Sequence, residues 1–312
     1  MVDLAVRIGA LALANPIMPA SGTFSPELAA VIDLNRLGAL VTKSITREFR
    51  AGNPTPRVAE TPSGMLNSIG IPSKGLDYFL DKIVPDYRQF TPPLVASISA
   101  HSPDAFADLC RDVSVRDIDV IEANISCPNL EADGRAFAMS ADLTEAVMRR
   151  LRAATDKPLW AKLTPNVGDI SEIARAAEAG GADALVVANA ILGMTIDTET
   201  MRPTLGTIMG GLSGPAVKPI AVRMTYQCAG AVSIPVIGCG GISNARDAVE
   251  FMLAGASAVQ VGTITFQHPT AMATIIDELE SWCDAKGFKK VSDLTGTAND
   301  GELSPDKYEA VR

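Results

Sequence analysis

Residues 158–189 read PLWAKLTPNVGDISEIARAAEAGGADALVVAN, and they spell a strand (158–164), a helix (169–180) and a second strand (183–189). In the first strand, period-two alternation sends Trp160, Lys162 and Thr164 to one face and Leu159, Ala161 and Leu163 to the other. The pair Gly180-Gly181 closes the helix. Two apolar strands joined through a helix run parallel, because a tight turn can only reverse the chain. Worked outward in both directions, the same unit recurs. Strands are predicted at 15–21, 39–45, 94–99, 119–126, 158–164, 183–189, 234–239 and 257–262. Helical patterns lie near 26–37, 75–88, 103–113, 142–154, 169–180, 214–231, 244–254 and 269–286. Eight units in strict alternation predict a closed (β/α)8 TIM barrel, with a doubly wound sheet as the fold-level alternative.

The reading is of a single barrel domain over 1–312, with residues 290–312 as a C-terminal extension. Residues 2–14 alternate weakly and suit a hairpin across the barrel floor. Ser25-Pro26 and Ser102-Pro103 carry the signature of helix starts, and Gly38 and Gly255 that of helix ends. Long connections follow the second (46–74), fourth (127–141) and sixth (190–213) strands, and loops of that length in a compact domain usually serve function.

Composition narrows the function classes. The chain is 47% hydrophobic and 20% charged, and its 27 basic against 36 acidic residues give a net charge of −9. A chain without a basic stripe is a poor match to nucleic acid or to anionic membranes. Five widely spaced cysteines, Cys110, Cys127, Cys228, Cys239 and Cys283, contain no Cys-x-x-Cys pair. That argues for a reducing, cytoplasmic setting and against a disulfide framework or a metal cluster. No signal peptide and no membrane-spanning stretch are expected from the sequence.

The chemistry-bearing residues gather at predicted strand ends, where barrel enzymes place their sites. Cys127 lies between Asn124 and Asn129 in NISCPN, at the point where the fourth strand gives way to a loop. A thiol in a polar, partly exposed setting is a candidate base or nucleophile. Lys162, pointing into the barrel, needs an electron-rich neighbour, because an isolated buried ammonium is costly. An anionic cofactor ring, a carboxylate or a carbonyl captured as a Schiff base would serve. Lys43 sits similarly at the end of the second strand. Asn67, Asn124, Asn129 and Asn189 offer donors and acceptors that match a planar ring with alternating N–H and C=O groups. Glycines cluster at 210–214, 238–241 and 262, where backbone amides and helix N-termini can hold a phosphate.

These residues stand in ordered motifs: TKSIT at 42–46, GNPTPR at 52–57, ETPSGMLNSIG at 60–70, NISCPN at 124–129, AKLTPN at 161–166, GGLSGPAVKP at 210–219 and IPVIGCGGI at 234–242. Over nearly its whole length the chain resembles the flavin-binding catalytic subunits of the class 1B dihydroorotate dehydrogenases. The resemblance implies FMN at the barrel mouth, contacted by Ser21, Lys43, Ser44, Ser97, Asn124, Lys162, Ala188, Gly214, Gly240, Gly241, Gly262 and Thr263. It implies a pyrimidine substrate held by Lys43, Asn67, Ser68, Ile69, Gly70, Ile71, Asn124, Asn129, Asn189 and Ala190, with Cys127 as catalytic base and Lys162 as the charge beside the flavin. It also implies a homodimer core, and a heterotetramer with a second subunit carrying FAD and a 2Fe–2S cluster that passes electrons to NAD+. Two positions depart from the family pattern. Ala190 stands where Thr or Ser is usual, and Ser97 where Asn is often found. The alternatives weighed beside this reading are a dihydropyrimidine dehydrogenase-like reduction of uracil or thymine, and a Schiff-base aldolase using Lys162.

Overall fold

The computed structural model describes residues 2–115, 117–126 and 136–299. Its centre is an eight-stranded parallel sheet whose strands are, in chain order, Ile17–Pro19, Leu40–Val41, Leu94–Ile98, Val120–Asn124, Leu159–Lys162, Ala184–Val187, Val236–Cys239 and Ala256–Val261. From the second to the eighth, each pairs with its sequence neighbour, and the eighth pairs with the first, in the order 1-8-7-6-5-4-3-2. All eight predicted strands are therefore present, and the barrel reading is the correct one. The strands read as almost unbroken apolar runs because parallel sheets are covered on both faces. Outward residues such as Leu159, Ala161 and Leu185 pack beneath the helices and are fully buried.

The barrel closes between its first and second strands with one backbone bond, from Gly38 N–H to the Ile17 carbonyl at 2.8 Å. A Cβ on Gly38 would lie 2.1 Å from the Asn15 carbonyl oxygen, so only glycine lets the two segments approach this closely. Asn15 fastens the seam further, donating to the Arg36 carbonyl at 2.7 Å and accepting from Ile17 N–H at 3.0 Å. This seam corrects the expectation of a helix at 26–37. The segment instead forms two short 3-10 turns, Pro26–Ala30 and Leu34–Arg36, and Ser25 makes no side-chain cap. The chain must arrive at Gly38 extended against the first strand, which leaves no room for a full α-helix.

The other helices follow the sequence pattern closely: Pro103–Val113, Ala141–Ala154, Ile170–Ala179, Lys218–Ala229, Ala245–Leu253 and Ala271–Lys286. Ser102 caps the first of them by accepting from Ala105 N–H at 3.2 Å. The predicted helix at 75–88 is α only at its two ends. Its middle, Phe79–Ile83, is a π segment that leads into Pro85, which has no N–H to continue an α ladder.

The N-terminal hairpin is present, Val6–Ile8 against Leu11–Leu13. Residues 290–299 pack on the segment before it and on the helix Ala245–Leu253: Val291 and Leu294 are fully buried, Val291 N–H donates to the Asp3 carbonyl at 2.9 Å, and Gly296 N–H to the Met252 carbonyl at 2.9 Å. The long connections after the second and sixth strands hold structure that periodicity did not reveal. Val58–Thr61 and Gly64–Asn67 from one, and Ile191–Gly193 and Gly210–Ser213 from the other, build a four-stranded antiparallel sheet. This small sheet walls one side of the barrel mouth.

Candidate active site

Three groups of residues converge at the C-terminal ends of the barrel strands. The first is a corner of glycines. Gly214, Gly240 and Gly241 have φ of 98°, 134° and 76°, in the region that L side chains rarely adopt. A Cβ on Gly241 would meet the Gly214 carbonyl at 2.8 Å and Lys218 N at 2.9 Å, and one on Gly240 would meet the Ala221 methyl at 2.9 Å. The corner lies against the start of the helix Lys218–Ala229, whose dipole favours an anion. Thr263, after Gly262 at the end of the eighth strand, donates its hydroxyl to Ser213 Oγ at 2.8 Å. Lys218 takes no part as a free cation. Its ammonium donates to Asp247 at 2.8 Å and Glu250 at 2.6 Å, and these carboxylates hold its pKa above the ordinary lysine value.

The second group lies inside the barrel. Lys162 is 3% exposed and sits beside Asn124 in register on the neighbouring strand. Its ammonium donates to Gln260 Oε1 at 3.0 Å and to Ser21 Oγ at 3.3 Å. Gln260 in turn donates through Nε2 to Glu122 Oε2 at 2.6 Å, and Glu122 Oε1 lies 4.0 Å from the Lys162 nitrogen. The electron-rich neighbour that Lys162 required is thus a buried carboxylate reached through an amide. Cys239, in register with Gln260, is sealed in the core, and burial pushes its thiol pKa up.

The third group is a chain of hydroxyls and amides along the early strands. Ser97 and Ser44 hydroxyls share a hydrogen bond at 2.8 Å, and Asn124 Nδ2 donates to Ser44 Oγ at 3.1 Å. Ser126 donates to Asn124 Oδ1 at 2.7 Å and accepts from Asn189 Nδ2 at 2.7 Å. Asn189 Oδ1 then takes Ala190 N–H at 2.8 Å. Ala188 joins the sixth and seventh strands, its N–H donating to the Cys239 carbonyl at 2.9 Å. Lys43 stands near Gly22, where a Cβ would lie 3.7 Å from its nitrogen. Desolvation by burial lowers the Lys43 pKa.

The wall formed by the small sheet carries the remaining expected contacts. Asn67 donates weakly to the Gly211 carbonyl at 3.4 Å. Ser68 is turned into the loop network, accepting from Asn53 at 2.8 Å and from Thr207 at 2.6 Å, while the Ile69 carbonyl accepts Asn53 N–H at 3.1 Å. Gly70 and Ile71 follow with φ of 79° and 48°. Cys127 and Asn129 lie outside the described residues. Glu122, Gln260 and Ser126 were missed in the sequence reading. Glu122 and Gln260 each interrupt an apolar strand on the inward face, and that interruption is the signal that marks them.

A (β/α)8 barrel that gathers a glycine corner, an inward ammonium and a run of hydrogen-bonding side chains at the C-terminal ends of its strands has the layout of a barrel enzyme. The chain belongs to the dihydroorotate dehydrogenase family, whose model matches residues 3–282. A protein of Trichlorobacter lovleyi named dihydroorotate dehydrogenase B (NAD(+)), catalytic subunit, is 48% identical over 296 residues, covering 94% of this chain and 97% of that one. Proteins of the same name from Parabacteroides distasonis and Bacteroides thetaiotaomicron are each 48% identical over 299 residues, covering 95% of this chain and 98% and 99% of theirs. A solved DHODH structure from Eimeria tenella, in complex with ferulenol, shares the fold with a TM-score of 0.77 at 22% identity, over 96% of this chain and 89% of that one. Among the described residues no helix is long and apolar enough to cross a membrane, and no cluster of His, Cys, Asp and Glu suits a metal ion.

Proposed function

We propose that the chain oxidises (S)-dihydroorotate to orotate in pyrimidine biosynthesis, using FMN held at the barrel mouth. The observation that carries this reading is the glycine corner and the buried Lys162 at the strand ends of one barrel, together with the amides of Asn124 and Asn189. The family is flavin-dependent in general, and the residues present fit FMN. Gly214, Gly240, Gly241, Gly262 and Thr263 would hold its phosphate through backbone and hydroxyl groups. Ser21, Ser44, Ser97, Asn124, Ala188, Lys43 and Lys162 would line its ring. Bound there, FMN supplies the two-electron acceptor for the hydride that leaves C6 of the substrate.

The chain's own groups do the rest. Lys162 keeps a positive charge where the ring gains negative charge on reduction, a preorganised electrostatic role. Lys43 meets the substrate carboxylate, and Asn67, Asn124, Asn129 and Asn189 pair with its alternating N–H and C=O groups. Residues 68–71 and Ala190 complete the substrate's surroundings. Cys127 removes the proton from C5 as a thiolate, since a thiol near pKa ~8.5 is a far better base precursor than a hydroxyl. Electrons then pass to NAD+ through a partner subunit carrying FAD and a 2Fe–2S cluster, around a homodimeric core. The names of the relatives, each a catalytic subunit, support such a partner. The family assignment does not favour the uracil-reducing or aldolase alternatives.

Anaerobic addition of dihydroorotate to the FMN-loaded protein is expected to bleach the flavin, with dihydrouracil inert in a parallel cuvette. Bleaching by dihydrouracil alone, or by neither, would overturn the assignment. Cys127→Ser is expected to slow flavin reduction by about 10²–10⁴-fold and to move its pH dependence upward. An unchanged rate would remove Cys127 from the chemistry. Sedimentation of the protein alone tests the dimer, and a monomer would contradict it.

A further inference from the structure

Glu122 raises a problem that stability does not solve. Its side chain is fully buried inside the barrel, and its Oε1 has no hydrogen-bond partner among the described residues. A buried charge pair is seldom more stable than well-packed apolar side chains of the same volume, and an unsatisfied carboxylate oxygen makes it worse. The arrangement has a definite polarity, however. An ammonium has only donors and a carboxylate only acceptors, so a group between them must both accept and donate, as a side-chain amide does. Gln260 does this, with its oxygen on Lys162 and its nitrogen on Glu122.

We propose that Glu122 and Gln260 are positioning residues that act on the cofactor through Lys162. Gln260 anchors the ammonium at the mouth, and Glu122 balances its charge from below, so that the pair sets how strongly the site favours a reduced flavin. Without Gln260 the ammonium keeps only the longer 3.3 Å bond to Ser21, and the pull of Glu122 across the 4.0 Å gap draws it back from the mouth. Without the Glu122 charge the ammonium acts on the mouth at full strength.

The inference rests on the FMN reading above, and the two fail differently. The measurement is the midpoint potential of FMN bound to the full-length protein, read by spectroscopic titration against a reference dye, together with the FMN content of the purified protein. Glu122→Gln keeps an acceptor for Gln260 and removes the charge. It is expected to favour two-electron reduction by about tenfold, given the size of one unit charge at a protein-like effective dielectric, a midpoint shift of about +30 mV. Glu122→Asp keeps the charge and is expected to restore most of the wild-type value. Gln260→Met keeps the volume and removes the anchor, and is expected to shift the midpoint the other way by severalfold in equilibrium constant.

A midpoint unchanged in Glu122→Gln, or moved equally by Glu122→Asp, would overturn the proposal and leave the pair as packing. Should Glu122→Gln not fold, Gln260→Met decides alone, and a midpoint that stays or rises overturns it. Wild-type protein that takes up no FMN would instead overturn the flavin-site reading itself.

Discussion

The two sides of the barrel mouth are built by opposite means. One side is lined by side chains: Ser97, Ser44, Asn124, Ser126 and Asn189 form one continuous run of hydrogen bonds. At the late strands the side chains have been removed, and Gly214, Gly240 and Gly241 leave bare backbone at angles no other residue adopts without strain. Even the lysine nearest that corner is bound by two carboxylates and offers no free charge. The side-chain half should suffer from losing atoms, the backbone half from gaining them.

That contrast is tested most severely at Gly241. Gly241→Ala adds a Cβ within 2.8 Å of the Gly214 carbonyl at a φ of 76°. Strain of ~1–3 kcal/mol and overpacking of similar size are expected to weaken FMN binding by about 100-fold, measured by fluorescence quenching on apoprotein. Gly168→Ala, where no atom lies within 4 Å of the added carbon, serves as the silent control. Equal behaviour of the two variants would break the comparison.

A smaller loss is expected on the opposite side. Asn124→Ala leaves Ser44 and Ser126 without their shared partner and is expected to cost about 1–3 kcal/mol of stability in a denaturant titration. Ser126→Ala removes the acceptor of the Asn189 amide. It is expected to weaken orotate binding by about tenfold while FMN content stays at the wild-type level. A loss of FMN with orotate affinity intact would mean that the hydrogen-bonded run serves the cofactor.

The pH dependence of the side-chain half follows from Lys43. Burial lowers its pKa, below the ordinary ~10.4. An anion that needs the ammonium is bound below the lowered pKa and released as pH rises through it. Orotate affinity should therefore decline at a lower alkaline pH than an ordinary lysine would give. Lys43→Arg, charged throughout, should flatten that decline in a spectral titration of orotate against pH. The smallest effect belongs to Ala190. Restoring a hydroxyl with Ala190→Ser is expected to tighten orotate binding by roughly 2–10-fold, the worth of one neutral hydrogen bond. No change would show that the hydroxyl common in the family finds no partner here.

What the sequence disclosed and what it hid divide along physical lines. The eight barrel strands were legible because burial on both faces forces continuous apolar runs bounded by glycine and polar loops. The helix at 26–37 was misread because the decisive constraint lies elsewhere, in the contact of Gly38 with Asn15 and Ile17. The antiparallel wall was invisible because its strands are four residues or fewer and rich in glycine, and pair across the chain, as Asn67 does with Gly211. Lys162 announced its need for a partner, yet Glu122 and Gln260 were passed over inside strands read as apolar. Periodicity reports which face a residue takes, and long-range pairing is what it leaves out.

The wall sheet carries one further consequence. Its inner rungs join Met65, Leu66 and Asn67 to Ser213, Leu212 and Gly211, so loops that leave the barrel after the second and sixth strands are laced into a single leaf. A molecule entering past that leaf must bend both loops together or neither. Substitutions in one loop will thus alter access and release as though made in the other, and the doorway will respond as one hinged panel instead of two independent flaps.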